Sequence, residues 1–217
     1  VAETSHSIAI GGLSSVLSGN QAIAIGGGDD VTAAPQVSGA QAIAIGSAGT
    51  SGVAGSRALA AQALAIGAGS SAAAGAAASG VGSVALGAHT ISSFVGTISL
   101  GRFARAQSSS AIAIGGGPTT TQSAQADKQG GIAIGTALTG ATGARAMGTD
   151  AIAIGSGTAV NNGAVASGVS SIAIGVASQA THDSAVAIGP GAVTSANFQI
   201  MMGAAAHEVN IPGTLKI

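Results

Sequence analysis

The groups with the most chemical reach in this chain are four histidines, a Gly-Gly-Gly-Asp-Asp run and a short series of arginines. A metal or catalytic centre requires His6, His89, His182 and His207 to converge. They lie at different offsets from a glycine that recurs along the chain, so stacking of the repeats does not gather them, and each reads as a surface or satisfied histidine. His182 and Asp183 are only sequence neighbours, and adjacent strand residues point to opposite faces. The run Gly26 to Asp30 suggests a calcium-binding glycine–aspartate turn, but solenoid sites of that kind need the acid at every turn, and here it occurs once. Gly115, Gly116 and Gly117 before Pro118 lack the lysine of a phosphate loop. No nucleophile, base and orienting group come together, so the chain is expected to be no enzyme and to hold no cofactor or metal. Arg57, Arg105 and Arg145 each fall ten places before a recurring glycine, which predicts an outward-facing basic line joined by Arg102 and Lys128. It reads as a solvated face or a partner contact.

Composition narrows the classes further. The 217 residues include 37 Gly, 1% aromatics and no Trp, Tyr or Cys, far from an ordinary globular core. At 47% hydrophobic the chain is too apolar for a disordered linker. Charged residues make up 6% and nearly cancel to a net charge of −1, which argues against nucleic-acid binding. Polar or glycine positions interrupt every aliphatic cluster well short of the roughly 20 residues a membrane helix needs, so no membrane insertion by this segment is expected. From Val1 onward no basic segment leads into an apolar stretch and a cleavage site, and the expectation is a segment of a longer protein.

The elements that must position these groups follow from one recurrence. Twelve times a small residue is followed by an aliphatic, a small residue, an aliphatic and a glycine, as in Gln21 to Gly26. The closing glycines are Gly11, Gly26, Gly46, Gly67, Gly87, Gly101, Gly115, Gly135, Gly155, Gly175, Gly189 and Gly203, at steps of 15, 20, 21, 20, 14, 14, 20, 20, 20, 14 and 14. Alternation with period two marks a strand, and the glycine after it turns the chain at the same place in every copy. Eleven and nine places before each glycine sits a second alternating pair, almost always Ala, Ser or Thr; Leu17, Pro35 and Val37 depart. Each unit therefore carries two short strands, and stacked units pair their edges into a parallel β-solenoid of about twelve coils, ~55 to 60 Å long at about 4.8 Å per rung.

In this reading the isoleucines of each I-A-I strand form the coil core. The central residue, Ala in ten of twelve copies with Ser99 and Met201 the exceptions, then faces outward. Alanine is poor at a solvated strand position, so the column Ala24, Ala44, Ala65, Ala113, Ala133, Ala153 and Ala173 is expected to contact another subunit of an obligate oligomer. The longer steps place extra residues directly after the preceding glycine, at 27–32, 47–53, 68–73, 116–121, 136–141 and 156–161. They fall in two groups of three consecutive coils, and loops leaving one corner stack into ridges. Asp29, Asp30, Thr50, Ser70, Thr119, Thr120, Thr139 and Asn161 are the candidate ligand-contact residues.

The units His6 to Gly12, Gly82 to Ser92 and Ser170 to Ala180 resemble the head repeats of trimeric autotransporter adhesins of the YadA-like type, in which a small residue precedes V/I-A-I-G and small residues recur three and five places after the glycine. The resemblance runs from about Ser5 to Gly203. It implies an all-β, left-handed parallel β-roll, three identical chains side by side as a homotrimer, displayed extracellularly on a Gram-negative outer membrane and anchored by parts outside this chain. Such heads bind host cells or extracellular-matrix proteins. The main alternative is a purely structural spacer of a fibrous surface or phage-fibre protein. A left-handed-helix acyltransferase is disfavoured, since such enzymes fold on six-residue steps. Residues 1–203 are read as the roll, and 204–217, with Pro212 and Gly213 between aliphatics, as closing strands or the start of a connector.

Overall fold

A computed structural model describes residues 5–49, 51–70, 74–138, 140–204 and 208. Strands of two kinds alternate along the chain. The three-residue strands are β1 (Ile8–Ile10), β3 (Ile23–Ile25), β5 (Ile43–Ile45), β7 (Leu64–Ile66), β9 (Val84–Leu86), β11 (Ile98–Leu100), β13 (Ile112–Ile114), β15 (Ile132–Ile134), β17 (Ile152–Ile154), β19 (Ile172–Ile174), β21 (Val186–Ile188) and β22 (Ile200–Met202). Between them lie the two-residue strands β2 (Ser15–Val16), β4 (Gln36–Val37), β6 (Arg57–Ala58), β8 (Ala77–Ala78), β10 (Ile91–Ser92), β12 (Arg105–Ala106), β14 (Gln125–Ala126), β16 (Arg145–Ala146), β18 (Val165–Ala166) and β20 (Gln179–Ala180). Like pairs with like, all in parallel, giving one sheet of twelve strands and one of ten. The fold is the all-β parallel roll that the repeat predicts, and no helix among the described residues is long and apolar enough to cross a membrane. The closing strands expected after residue 204, and His207, lie outside the described residues.

Register is strict. Ile132 stands over Ile152, Ala133 over Ala153 and Ile134 over Ile154, and the same holds rung after rung. Equivalent side chains therefore stack in columns, and each column has one environment.

Those environments reverse one expectation. The central alanines, including Ala24, Ala44, Ala65, Ala113, Ala133, Ala153 and Ala173, are completely buried inside a single chain. The flanking aliphatics point outward: Ile10 is 56% and Ile188 39% exposed, and those in the middle of the sheet are half-buried by their ladder neighbours. The alanine column is the core, so it cannot be the contact between subunits. The physical reason is the thickness of the coil. Facing the central alanines across the interior are the inward residues of the two-residue strands, such as Ala104 and Ala106, Ala144 and Ala146, or Thr90 and Ser92, all fully buried. Two sheets lined almost entirely with Ala, Ser and Thr approach too closely to admit isoleucine between them.

Hydroxyls in this interior are spent on the backbone. Ser92 donates to the Val84 carbonyl (2.7 Å) and Ser99 to the Ile91 carbonyl (2.8 Å), each crossing from one sheet to the other. The Ser99 hydroxyl also accepts from the Ala106 amide (3.0 Å), which accounts for a serine where other copies have alanine. Ser56 donates to the Ile45 and Gly67 carbonyls at 2.8 and 2.6 Å. A buried hydroxyl is tolerated when it is satisfied in this way.

A second correction concerns the first unit. Its step of 15 places the extra residue after the short strand, so Ser14 and Val16 turn inward and Leu17 is 52% exposed.

Every recurring glycine from Gly11 to Gly203 has a positive φ, between +74° and +159°. A Cβ on Gly135 (φ +141°) would lie 2.7 Å from the Gly155 carbonyl carbon and oxygen of the next rung. Gly135→Ala is expected to destabilise the roll by about 3 kcal/mol or more, combining backbone strain with a clash. Gly82→Ala, at φ +63° with open space around the added carbon, should cost about 1 to 2 kcal/mol. Denaturant midpoints of the two variants check the difference, and equal shifts would show that rung contact at the glycine corner is unimportant.

Candidate functional surfaces

The inserted segments leave the corner between the recurring glycine and the two-residue strand, and they stack. In the first group Ala48 bridges Gly69, and the Ala48 amide donates to the Ala33 carbonyl at 2.7 Å. In the second, Ala137 bridges Gly157, whose amide donates to the Thr136 carbonyl at 2.7 Å. Gln36 and Gln125, at the same outward position of β4 and β14, each donate from the side-chain amide to a loop carbonyl five residues earlier, Val31 and Thr120. The loops are thus continuations of the ladder clamped to the outer face of the ten-stranded sheet, forming the two ridges that the spacing predicts.

The candidate contact residues divide by what their side chains already do. Asp29, Ser70, Thr119 and Asn161 are exposed, whereas Thr50 and Thr139 lie outside the described residues. Thr119 donates its hydroxyl to Gln122 Oε1 (2.8 Å), and the Thr120 carbonyl accepts from Ser123 (2.9 Å). Asp30 is an internal fastener: its carboxylate accepts from the Thr32 and Ala33 amides (2.8 and 2.7 Å), from the Gly52 amide (2.9 Å) and from the Ser51 hydroxyl of the next loop. The Ser51 hydrogen bond first, then the backbone amides, hold its pKa down to about 2.

Sequence reasoning missed the apolar side chains at the loop tips. Val31, Leu138 and Val160 are 64%, 64% and 87% exposed. The signal was present as aliphatic residues out of phase with the repeat. Beside the first ridge, Leu13, Leu17 and Val31 line an apolar groove of about 520 Å³, and within the second Thr121, Gln125, Thr142 and Arg145 enclose a small cleft of about 80 Å³.

The basic line lies where spacing predicts. Arg57, Arg105 and Arg145 occupy the outward position of β6, β12 and β16 and are half-buried, while Arg102 and Lys128 are exposed. The histidines remain apart. His182 Nδ1 lies 3.1 Å from the Thr181 hydroxyl and 3.4 Å from that of Thr194. Asp183 instead accepts from the Val169 amide at 2.8 Å. Among the described residues no three His, Cys, Asp or Glu side chains form a group that could hold a metal ion.

The aliphatic face of the twelve-stranded sheet points outward, two columns wide and unbroken from Ile8 to Met202. A continuous apolar strip of this size on one chain is the mark of an interaction surface.

The YadA head domain repeat matches this chain in two copies, at residues 74–90 and 166–192. No curated protein matches it. The matched segments cover β8, β9 and most of β18 to β21, and the stacked parallel strands around them, with no helix among the described residues, fit a YadA-like head. That family is of an adhesin type and not an enzyme family.

Replacing Asp30 by Ala should loosen the first ridge alone. Amide exchange at Thr32, Ala33 and Gly52 is expected to quicken, with the amides of Ala137 and Gly157 unchanged. Because the folded pKa lies below the ordinary 3.8, this fastening is fully present above that value and is lost as pH falls through about 2. Exchange measured at pH 5 and near pH 2 checks it, and a ridge equally loose at both pH values would show that the carboxylate does not hold it.

Proposed function

We propose that this roll is the adhesive head of a trimeric autotransporter, displayed on a Gram-negative cell surface and binding host cells or extracellular-matrix proteins. The observation that carries the reading is the aliphatic face. Full burial of an Ile or Leu side chain is worth about 1.5–3 kcal/mol, and twelve rungs present two such side chains each to water in a single chain. Three copies meeting along this face around a common axis bury it and leave the ten-stranded sheet, with its ridges, outward. The oligomer expected from sequence is kept in this proposal, with its contact moved from the alanine column to the isoleucine columns. The ridges are the ligand-binding surface, polar at Asp29, Thr119 and Asn161 and apolar at Val31, Leu138 and Val160.

Two substitutions on one strand separate assembly from folding. Ile154→Asp should leave the strand content of the roll largely intact but convert a three-copy species to single chains or aggregates in sedimentation. Ala153→Leu overfills the interior and should lower stability by about 1–3 kcal/mol or more. A monodisperse, well-folded single chain at micromolar concentration for the unaltered protein would overturn the proposal. Trimming 116–121, 136–141 and 156–161 to the short-step form should reduce binding to immobilised matrix proteins by more than about tenfold, the equivalent of about 1.4 kcal/mol. Undiminished binding would move the adhesive site off the second ridge.

A further inference from the structure

Between the two ridges the loops are missing for two successive corners. The corners after Gly87 and Gly101 are short, so the segment at 68–70 and the loop at 116–121 leave the roll three rungs apart, roughly 14 Å at about 4.8 Å per rung. The floor of this gap is built from His89, Arg102, Phe103 and Arg105, with Ile91 on the adjoining strand. The Arg102 guanidinium carbon lies 4.6 Å from the Phe103 ring centroid, and the His89 and Phe103 centroids are 4.8 Å apart. His89 and Phe103 have φ of +56° and +64°, a region that disfavours bulky side chains. At the equivalent corners after Gly175 and Gly189 the same position is Ala177 and Gly191. At the short corner after Gly11 the position is Leu13, so rings stand there only in this gap.

The charge around the gap has one sign. Residues 31–126 contain no Asp or Glu, while Arg57, Arg102 and Arg105 lie within them. The nearest acid, Asp127, reaches Arg105 only through the Gln107 amide: oriented to satisfy both neighbours, that amide accepts from an Arg105 terminal nitrogen (2.7 Å) and donates to Asp127 (3.0 Å). The buried Arg105 Nε and His89 Nδ1 have no hydrogen-bond partner among the described residues. Burial first, then Arg105 and Arg102, hold the His89 pKa below its usual value.

We propose that this gap binds an anionic polysaccharide, whose sulfate or carboxylate groups take the guanidinium donors of Arg102 and Arg105 while its sugar faces lie against Phe103 and Ile91. Guanidinium pairs with such oxyanions in planar, two-pronged fashion, and the stack on Phe103 holds Arg102 ready for it. An extended acidic peptide is the poorer fit. It would dock by adding to a sheet edge, and β10 and β12 are each paired on both sides. The inference rests on the reading above only in requiring the ten-stranded sheet to face outward.

The test uses the whole chain and immobilised heparin, with neutral dextran and polyglutamate as comparison probes. Heparin should bind in a salt-sensitive way and dextran should not. Arg102→Ser, at an exposed position, should weaken heparin binding about tenfold or more, and adding Arg105→Gln should abolish it. Arg57→Gln, on the same face three rungs away, should leave it unchanged. Sedimentation and circular dichroism matching the unaltered protein confirm that Arg102→Ser folds. Absence of heparin binding, binding indifferent to Arg102→Ser, or equal binding of polyglutamate would each overturn the proposal. Matrix-protein binding measured on the same variants keeps the two readings separable, because loss at the ridges leaves heparin binding intact.

Discussion

A single serine hydroxyl crosses this protein from one sheet to the other. Ser92 reaches from the ten-stranded sheet to the Val84 carbonyl, and Ser99 reaches back to that of Ile91. An interior one small side chain deep sets every other choice in the molecule. It confines the buried columns to Ala, Ser, Thr and a few small exceptions such as Val16 and Val37. It leaves little apolar volume per rung, so cohesion within the chain comes from the two parallel ladders and from their exact repetition, each rung contacting mainly the next. And it turns the large aliphatic side chains outward, where only another molecule can bury them.

Much of this was legible in the sequence. Recurrence of I-A-I-G gave strands, corners, parallel pairing and rung number, because period two and a positive-φ glycine have few other meanings. The lengthened steps located both ridges. Which face of the strand lies inside was not legible from alternation, since alternation says that two faces differ and not which one is buried. Assigning Ile to the interior follows the rule for a lone globule, and the rule fails when the interior is too thin. A clue did exist: in the eleven rungs before the last the central position holds only the small residues Ala and Ser, whereas the flanks hold Ile, Leu and Val. Uniform size at a position is what a steric limit produces, whereas a surface buried against a second molecule accepts any aliphatic of similar volume.

The surface residues were read less fully, for a related reason. Residue type marked Asp30 as a candidate for contact, but its carboxylate is occupied by two loops of its own chain. The exposed Val160 and Leu138 drew no notice as hydrophobes in loops. Strict register explains the pattern: any side chain repeated or nearly repeated between rungs meets its neighbour, as Gln21, Gln41 and Gln62 do through their amides. Side chains without such a neighbour remain exposed, and these are concentrated at the loop tips.

The absence of cysteine makes the orientation of the strands directly measurable. Single substitutions Ile152→Cys and Ala153→Cys place a thiol at adjacent positions of β17, one on each face. The account predicts that the thiol at 152 is cross-linked to a second chain by a short thiol-specific bifunctional reagent, and that the thiol at 153 reacts only after unfolding. Cross-linking between chains at 153, with 152 protected inside its own chain, would contradict it.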